Sequence, residues 1–126
     1  MKRHRVLVLN FGSTSTKVAI YEEEQRLLSK VFYHAPQELG SSGMEQSAAA
    51  RKPAILNCLR EEGVDIQAID AVVGRGGLIR PVKGGTYAVS ARMVDDLRSC
   101  AYGTHACNLG GILAFELGGE FGKPAF

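Results

Sequence analysis

Short apolar runs divided by polar turns mark the first part of the chain. Residues 6–9 form an unbroken run of valine and leucine, typical of a strand that is buried on both faces. A polar turn leads to a second strand over residues 17–21, and the charged residues 22–25 lead to a third over residues 27–33. Because short connections join strands that run in opposite directions, these three strands are predicted to form an antiparallel meander.

Helical segments alternate with strands in the remainder of the chain. Residues 44–62 are rich in Ala, Leu, Gln, Glu and Arg and predict a helix, which follows the polar, Gly/Ser-rich residues 37–43. Pro53 lacks the N–H that an interior helical turn needs, so this helix is predicted to begin or bend there. The other predicted elements are strands over 69–73 and 86–89, a helix over 91–100 capped by Ser90, a helix over 108–117 ended by Gly118, Gly119 and Gly122, and a strand that begins at 123–126.

This order of elements predicts an α/β fold, in which helices pack on a sheet of mixed strand direction. The 126 residues fit one domain, and 15 basic against 13 acidic residues leave no basic stripe of the kind that nucleic-acid-binding proteins carry. The basic start precedes too short an apolar run for a signal peptide, and no run approaches the roughly eighteen apolar residues of a membrane span. A cytoplasmic protein with neither nucleic acid nor membrane as partner is therefore expected.

Three cysteines are present, and no two of them form a C-x-x-C pair. An odd number without such pairs fits reduced thiols better than a disulfide framework. The nearest thing to a metal site is Cys100, His105 and Cys107, which offer three ligands where a structural zinc site takes four.

The turn between the first two strands is dense in hydroxyl groups and ends in a lysine. Gly12 allows close approach of a ligand to the backbone, while Ser13, Thr14 and Ser15 offer hydroxyls and Lys17 adds a positive charge. These groups suit a phosphate cradle, although the loop lacks the Walker A spacing and is followed by a strand. A hairpin with a merely polar turn fits the spacing equally well.

Two further residues are candidates for contact with a substrate. Arg75 lies between glycines at the end of a predicted strand, where a guanidinium can clamp a carboxylate or a transferring phosphoryl group with two hydrogen bonds. His105 precedes the last helix and can hydrogen-bond a substrate, since imidazole titrates near neutrality. The alternatives are a solvated surface arginine and a structural segment in which Asn108 caps the helix.

Three segments resemble the butyrate kinases of the acetate kinase family, within the actin, Hsp70 and sugar kinase superfamily. Residues 8–17 resemble the first phosphate motif of these acyl-phosphate-forming kinases, and residues 72–87 and 103–111 resemble butyrate kinase segments. Phe11 stands where related motifs often have Pro or Ala, and Cys107 where Ser is common. The resemblance implies the N-terminal lobe of an actin-like ATPase fold, which is ribonuclease H-like, and a truncated one. Residues 1–126 are then an N-terminal acyl kinase domain that is incomplete at its C-terminus.

The resemblance also implies a reaction and the residues that serve it. The intact protein is expected to convert ATP and butanoate reversibly into ADP and butanoyl phosphate, with Mg²⁺, and to be a homo-oligomer. Arg75 and His105 are implied as catalytic residues near the carboxylate. Asn10 is implied as the residue at the metal ion. The implied nucleotide-binding residues are Asn10, Gly12, Ser13, Thr14, Ser15 and Lys17.

Residues 1–126 alone are expected to be inactive, since the catalytic aspartate and the adenosine motif of this family lie outside them. One alternative is an inactive phosphate-binding or nucleotide-binding fragment. The other is a kinase for a different short-chain carboxylate, namely acetate, propionate or isobutyrate.

Overall fold

Four strands form one mixed sheet in the computed structural model, which describes residues 2–39 and 43–126. The first three, β1 (Arg5–Phe11), β2 (Ser15–Glu22) and β3 (Gln25–Tyr33), pair antiparallel in sequence order. This confirms the predicted meander. The predicted connection over 37–43 lies partly outside the described residues.

The fourth strand, β4 (Ala71–Gly74), pairs parallel to β1, so that the strand order is β3-β2-β1-β4. The predicted strand at 123–126 is confirmed in part: Phe126 N donates to Val72 O (2.9 Å) and Gly74 N donates to Phe126 O (2.9 Å). The predicted strand over 86–89 is wrong. Only its last residue finds a main-chain partner beyond the segment, since Val89 N donates to Ala125 O (2.9 Å).

Three helices accompany the sheet: α1 (Gly43–Glu61), α2 (Ala91–Ser99) and α3 (Asn108–Phe121). Short 3₁₀ turns lie at Pro36–Leu39 and Ile66–Ala68. Ser90 caps α2 as predicted, because its hydroxyl accepts a hydrogen bond from Met93 N (3.1 Å). No helix in the described part of the chain is long and apolar enough to cross a membrane.

The helix predicted over 44–62 is confirmed as α1, whereas a start at Pro53 and an end of α3 at residue 117 are wrong. Helix α1 runs through Pro53, which is exposed, while Arg51 and Ile55 on either side of it are buried and hold the helix to the core. Helix α3 continues beyond residue 117 and ends at Phe121, where Gly122 adopts the left-handed conformation (φ 68°) of a helix C-cap.

One face of the sheet carries the core. Leu7, Leu9 and Phe11 of β1 are buried together with apolar residues of α1 and α3, whereas the alternate residues of β1 are only half-buried. Side chains alternate between the faces of a strand, so Asn10 and Lys17, which oppose each other in the β1–β2 pairing, lie on the second face.

Candidate phosphate and carboxylate site

The turn that joins β1 to β2 is closed by a hydrogen bond from Gly12 N to Ser15 O (3.0 Å). A Cβ on Gly12 would lie 2.5 Å from Ser15 Oγ, so a side chain here would collide with the hydroxyl. The φ angle of Gly12 is outside the left-handed region. A side chain at residue 12 would therefore make the Ser15 hydroxyl rotate away, while the torsion of Gly12 itself suits any residue.

Arg51 of helix α1 holds this turn from inside the protein. The side chain is 1% exposed and donates to three main-chain carbonyls: Nη1 to Gly12 O (2.8 Å) and Ser15 O (2.7 Å), and Nη2 to Ser13 O (2.8 Å). Its guanidinium also lies 5.6 Å from the centre of the Phe11 ring. Sequence reasoning missed Arg51. The available signal was its place in the helical series 48, 51, 55 and 59, whose other members are buried and apolar.

The remaining polar groups of the loop face outward. Ser13 and Thr14 are exposed, Asn10 and Ser15 are half-buried, and Lys17 is exposed. Within residues 2–39 and 43–126, no hydrogen bond or ion pair involves the side chains of Asn10 and Lys17. These groups are thus available to a ligand, as the sequence-based hypothesis requires.

Arg75 follows β4 and lies beside the strand that leads into the loop. Its backbone N donates to Leu9 O (3.0 Å), so it is anchored one residue before Asn10. Its side chain is exposed and forms no ion pair or hydrogen bond with any described residue. Arg75 and Lys83 line a cavity of about 580 Å³ whose other walls are largely apolar. The apolar lining includes Val8, Val73, Ile79, Val82, Val89, Met93, Leu97 and Phe126.

His105 lines a different cavity, of about 340 Å³, together with Ser13 and Thr14 of the loop. Its Nδ1 accepts a hydrogen bond from Cys107 N (3.1 Å), so in the neutral ring Nε2 carries the proton. The structure thus brings His105 to the phosphate loop. Arg75 lines a separate cavity. The resemblance implied instead that Arg75 and His105 both lie near the carboxylate of the substrate.

No protein-family model matches the chain. Over 124 residues the chain is 43% identical to the probable butyrate kinase of Clostridium botulinum Eklund 17B, a match that covers 98% of the chain and 35% of that protein. Matches with the same coverage are found to butyrate kinase 1 (41% identity) and butyrate kinase 2 (43% identity) of Clostridium acetobutylicum. The chain is a homologue of the butyrate kinases. It spans about a third of the length of these relatives.

Solved structures agree with this homology in fold. A propionate kinase from Francisella tularensis aligns with a TM-score of 0.53 at 18% identity, covering 97% of this chain and 35% of that one. YeaZ from Pseudomonas aeruginosa gives the same TM-score and identity, covering 98% of this chain and 42% of the other. At such identity the likeness concerns the fold alone. It confirms the predicted α/β fold with a sheet of mixed strand direction.

Asn108 has a different role in this butyrate kinase homologue from the predicted helix cap. Cys107 is the residue before α3, and Asn108 is the first residue of this helix. The side chain of Asn108 is fully buried. Its Oδ1 accepts from Leu78 N (2.9 Å) and its Nδ2 donates to Gly103 O (3.0 Å). Asn108 therefore joins the loop that follows Arg75 to the loop that precedes His105.

Asn108→Ala is expected to lower the free energy of unfolding by about 1–3 kcal/mol, because the hydrogen bonds of the buried Asn108 side chain with Leu78 N and Gly103 O would both be lost. Urea unfolding of the full-length protein measures this. Asn57→Ala is the matched control, since Asn57 bonds only to side chains of its own helix, those of Arg60 and Glu61. Equal effects of the two substitutions would show that Asn108 does not hold the loops together.

Cys100, His105 and Cys107, the candidate zinc ligands that are one short of a structural site, do not form a ligand group among the described residues. Cys58, Cys100 and Cys107 are free, and the part of the chain that the structure describes contains no group of three or more His, Cys, Asp or Glu side chains able to hold a metal. The sulfur of Cys100 instead lies against Leu97 O (3.8 Å).

Proposed function

We propose that the full-length protein is a butyrate kinase, which transfers the γ-phosphoryl group of ATP reversibly to butanoate. Identities of 41–43% with butyrate kinases over 98% of the chain support this. One structural observation carries the proposal. Arg75, a guanidinium without a protein partner in the described residues, faces an apolar cavity and is anchored by Leu9 O to the strand that enters the hydroxyl-rich loop.

The loop supplies the site for the phosphates of ATP. Neither Ser13 N nor Thr14 N donates to another backbone group of the described chain, and both residues are exposed. Free backbone N–H groups at a turn, with hydroxyls and the Lys17 ammonium nearby, are typical of anion-binding sites. The phosphate groups of a nucleotide therefore fit the residues present.

The Arg75 cavity supplies the site for the carboxylate. A short-chain acid binds with its carboxylate on Arg75 and its alkyl chain against the apolar wall, which includes Val73 and Met93. The carboxylate oxygen attacks the γ-phosphorus while the bond to the β-phosphate oxygen breaks, giving butanoyl phosphate and ADP. Arg75 and Lys83 balance the negative charge of the two approaching anions.

His105 serves the phosphoryl group and not the alkyl chain. It lies with Ser13 and Thr14 on the second cavity, and its Nδ1 is engaged by Cys107 N (3.1 Å). The Nε2–H is therefore the free donor, and it can hydrogen-bond an oxygen of the transferring group. This proposed role of His105 differs from the one that the family resemblance implied, which was a contact with the carboxylate.

Mg²⁺ fits this part of the chain only as an ion held mainly by the nucleotide. Asn10 offers an amide oxygen, and no acidic cluster is found among residues 2–39 and 43–126. Magnesium commonly binds through substrate phosphates and water with one or two protein oxygens. When bound, it would neutralise charge on the β- and γ-phosphates.

The proposal predicts that the full-length protein forms acyl phosphate from ATP and butanoate, measured as the hydroxamate. Butanoate is expected to give the highest kcat/KM in a series from acetate to valerate and isobutyrate. Because one methylene in an apolar pocket changes discrimination by about 1–3 kcal/mol, neighbouring acids should lose about 10–200-fold per methylene. No hydroxamate from any of these acids would refute the proposal.

Residues 1–126 produced alone provide the second arm of this experiment. They are expected to yield no hydroxamate, since the chain spans about a third of its relatives and its described part has no carboxylate cluster for a metal. Turnover by these residues would contradict this arm and place all catalytic groups within them. Heat on titration with ATP, without turnover, would identify a nucleotide-binding fragment.

The proposal includes a cytoplasmic, homo-oligomeric enzyme. The three cysteines are free, as expected in a reducing compartment. Strand β3 is an edge of the sheet, and Leu27, Val31 and Tyr33 on it are exposed. An edge strand of this kind is a common surface for self-association.

A further inference from the structure

Arg51 is a buried cation that is satisfied without an acidic partner. It is 1% exposed, and no Asp or Glu of the described chain forms an ion pair with it. Burial lowers the pKa of its guanidinium. Besides the three loop carbonyls, Ser47 Oγ is its one hydrogen-bond acceptor among the described residues, 3.1 Å from Nε. The charge is thus compensated by dipoles and by the Phe11 ring, and most of the dipoles belong to the loop.

The direction of these dipoles determines where the loop N–H groups point. All peptide bonds of the described chain are trans, so each C=O is antiparallel to the N–H of the next residue. Because the carbonyls of Gly12 and Ser13 point at Arg51, the N–H groups of Ser13 and Thr14 point away from it. Both residues are exposed on that outer side.

We propose that Arg51 is the positioning residue of the phosphate site. By binding the carbonyls of Gly12, Ser13 and Ser15, it fixes the loop with two free N–H groups turned toward the phosphates of ATP. Without the guanidinium these peptide planes can rotate, and the anion site loses its preorganised donors. This inference rests on the proposed function and assigns to helix α1 the control of nucleotide affinity.

A purely structural role would give a different pattern. Methionine would fill a similar place in the core beside Ala48, Ile55 and Leu59, but the loop carbonyls that Arg51 binds would lose their donor, so some loss of stability is expected in Arg51→Met. A purely structural role of Arg51 would lower the affinities for ATP and butanoate together. A positioning role lowers the nucleotide affinity alone, in protein that is shown to be folded.

The test compares Arg51→Met with the wild type in the full-length protein. We expect Kd for a non-hydrolysable ATP analogue, from calorimetric titration, to rise by about 100-fold, the scale of effects from a small misplacement of binding groups. KM for butanoate is expected to stay unchanged. In Arg51→Ala, millimolar guanidinium should restore part of the nucleotide affinity, which added salt of the same ionic strength should not do.

Arg60→Met is the matched control, because Arg60 is an exposed arginine of the same helix whose side chain bonds only to Asn57. It should bind the analogue as the wild type does. Arg51→Lys is the second variant, since a single ammonium retains the charge but not the fork that spans three carbonyls. It too is expected to lose nucleotide affinity selectively.

Three outcomes would overturn the inference: wild-type nucleotide affinity in a folded Arg51→Met protein, equal losses of ATP and butanoate affinity, or failure of both the Met and Lys variants to fold. A wild-type protein that binds no nucleotide would also refute it. If the wild type binds the analogue but phosphorylates no acid, the proposed function fails, while selective loss of binding in Arg51→Met still supports the inference.

Discussion

Arg75→Ala in the full-length protein is expected to lower kcat/KM for butanoate by about 10²–10³-fold, the range found when one preorganised charge-stabilising donor is removed. Arg75 makes no ion pair or hydrogen bond through its side chain in the described structure, so its charge is uncompensated until a ligand arrives. Its backbone is held by Leu9 O (3.0 Å), which fixes the start of the side chain beside the phosphate loop.

The kinetic pattern separates the possible contributions of Arg75. If the guanidinium stabilises charge only in the transition state, kcat falls and KM for butanoate does not change; if it binds the carboxylate throughout, KM rises. Lysine at residue 75 should recover less than half of the lost free energy, because it cannot make the bidentate contact.

Arg26→Ala is the control for this loss of charge. Arg26 is also exposed, but it lies at the end of β3 that pairs with Tyr21, far along the sheet from the Ser15–Tyr33 pair near the loop. Its kinetics should match the wild type. Equal kinetics of Arg75→Ala and Arg26→Ala would refute a catalytic role for Arg75.

The sheet was predictable from sequence because its information is local. An unbroken apolar run identifies β1, the polar turn after it separates β1 from β2, and the short connection between them determines their antiparallel order. The predicted alternative of a helix start at Pro53 is wrong, because the local cost of proline is outweighed by the burial of Arg51 and Ile55 on either side. At residues 86–89 the local pattern suits a strand, but one backbone hydrogen bond, from Val89 N to Ala125 O, does not make a ladder.

The site was predictable only where it is continuous in sequence. Residues 10–17 comprise one turn and the strand ends beside it, so their composition directly suggested a phosphate-binding loop. Arg51 is 36 residues from Ser15, whose carbonyl it binds, and the residues around Arg51 do not predict this contact with the loop. Asn108 is a residue type that often caps helices. It joins two loops here because the tertiary fold packs the Leu78 loop against it. Contacts of this kind depend on the tertiary fold.

Gly74→Ala is expected to produce the largest loss of stability, about 3 kcal/mol or more, at the upper end of the effects of overpacking. A Cβ on Gly74 would lie 2.1 Å from Gly110 O and 2.2 Å from Gly110 C. Both contacts are with backbone atoms of Gly110, so the clash cannot be relieved by rotating a side chain. The end of β4 and helix α3 would have to separate, and Arg75 would move with them. Urea unfolding of the full-length protein measures the change.

Two substitutions in α3 complete this test. Gly110→Ala probes the contact from the helix side, and Gly119→Ala is a control away from it. Gly119→Ala meets nothing within 4 Å, so it should stabilise the protein by about 0.5–1 kcal/mol through helix propensity. Gly110→Ala has the same propensity gain, but its Cβ would lie 2.8 Å from Arg75 O, and a net destabilisation is expected. Since one separation of β4 from α3 relieves both clashes, Gly74→Ala and Gly110→Ala together should cost less than the sum of the two. Additive effects, or a Gly74→Ala protein as stable as the wild type, would contradict the close approach that positions Arg75.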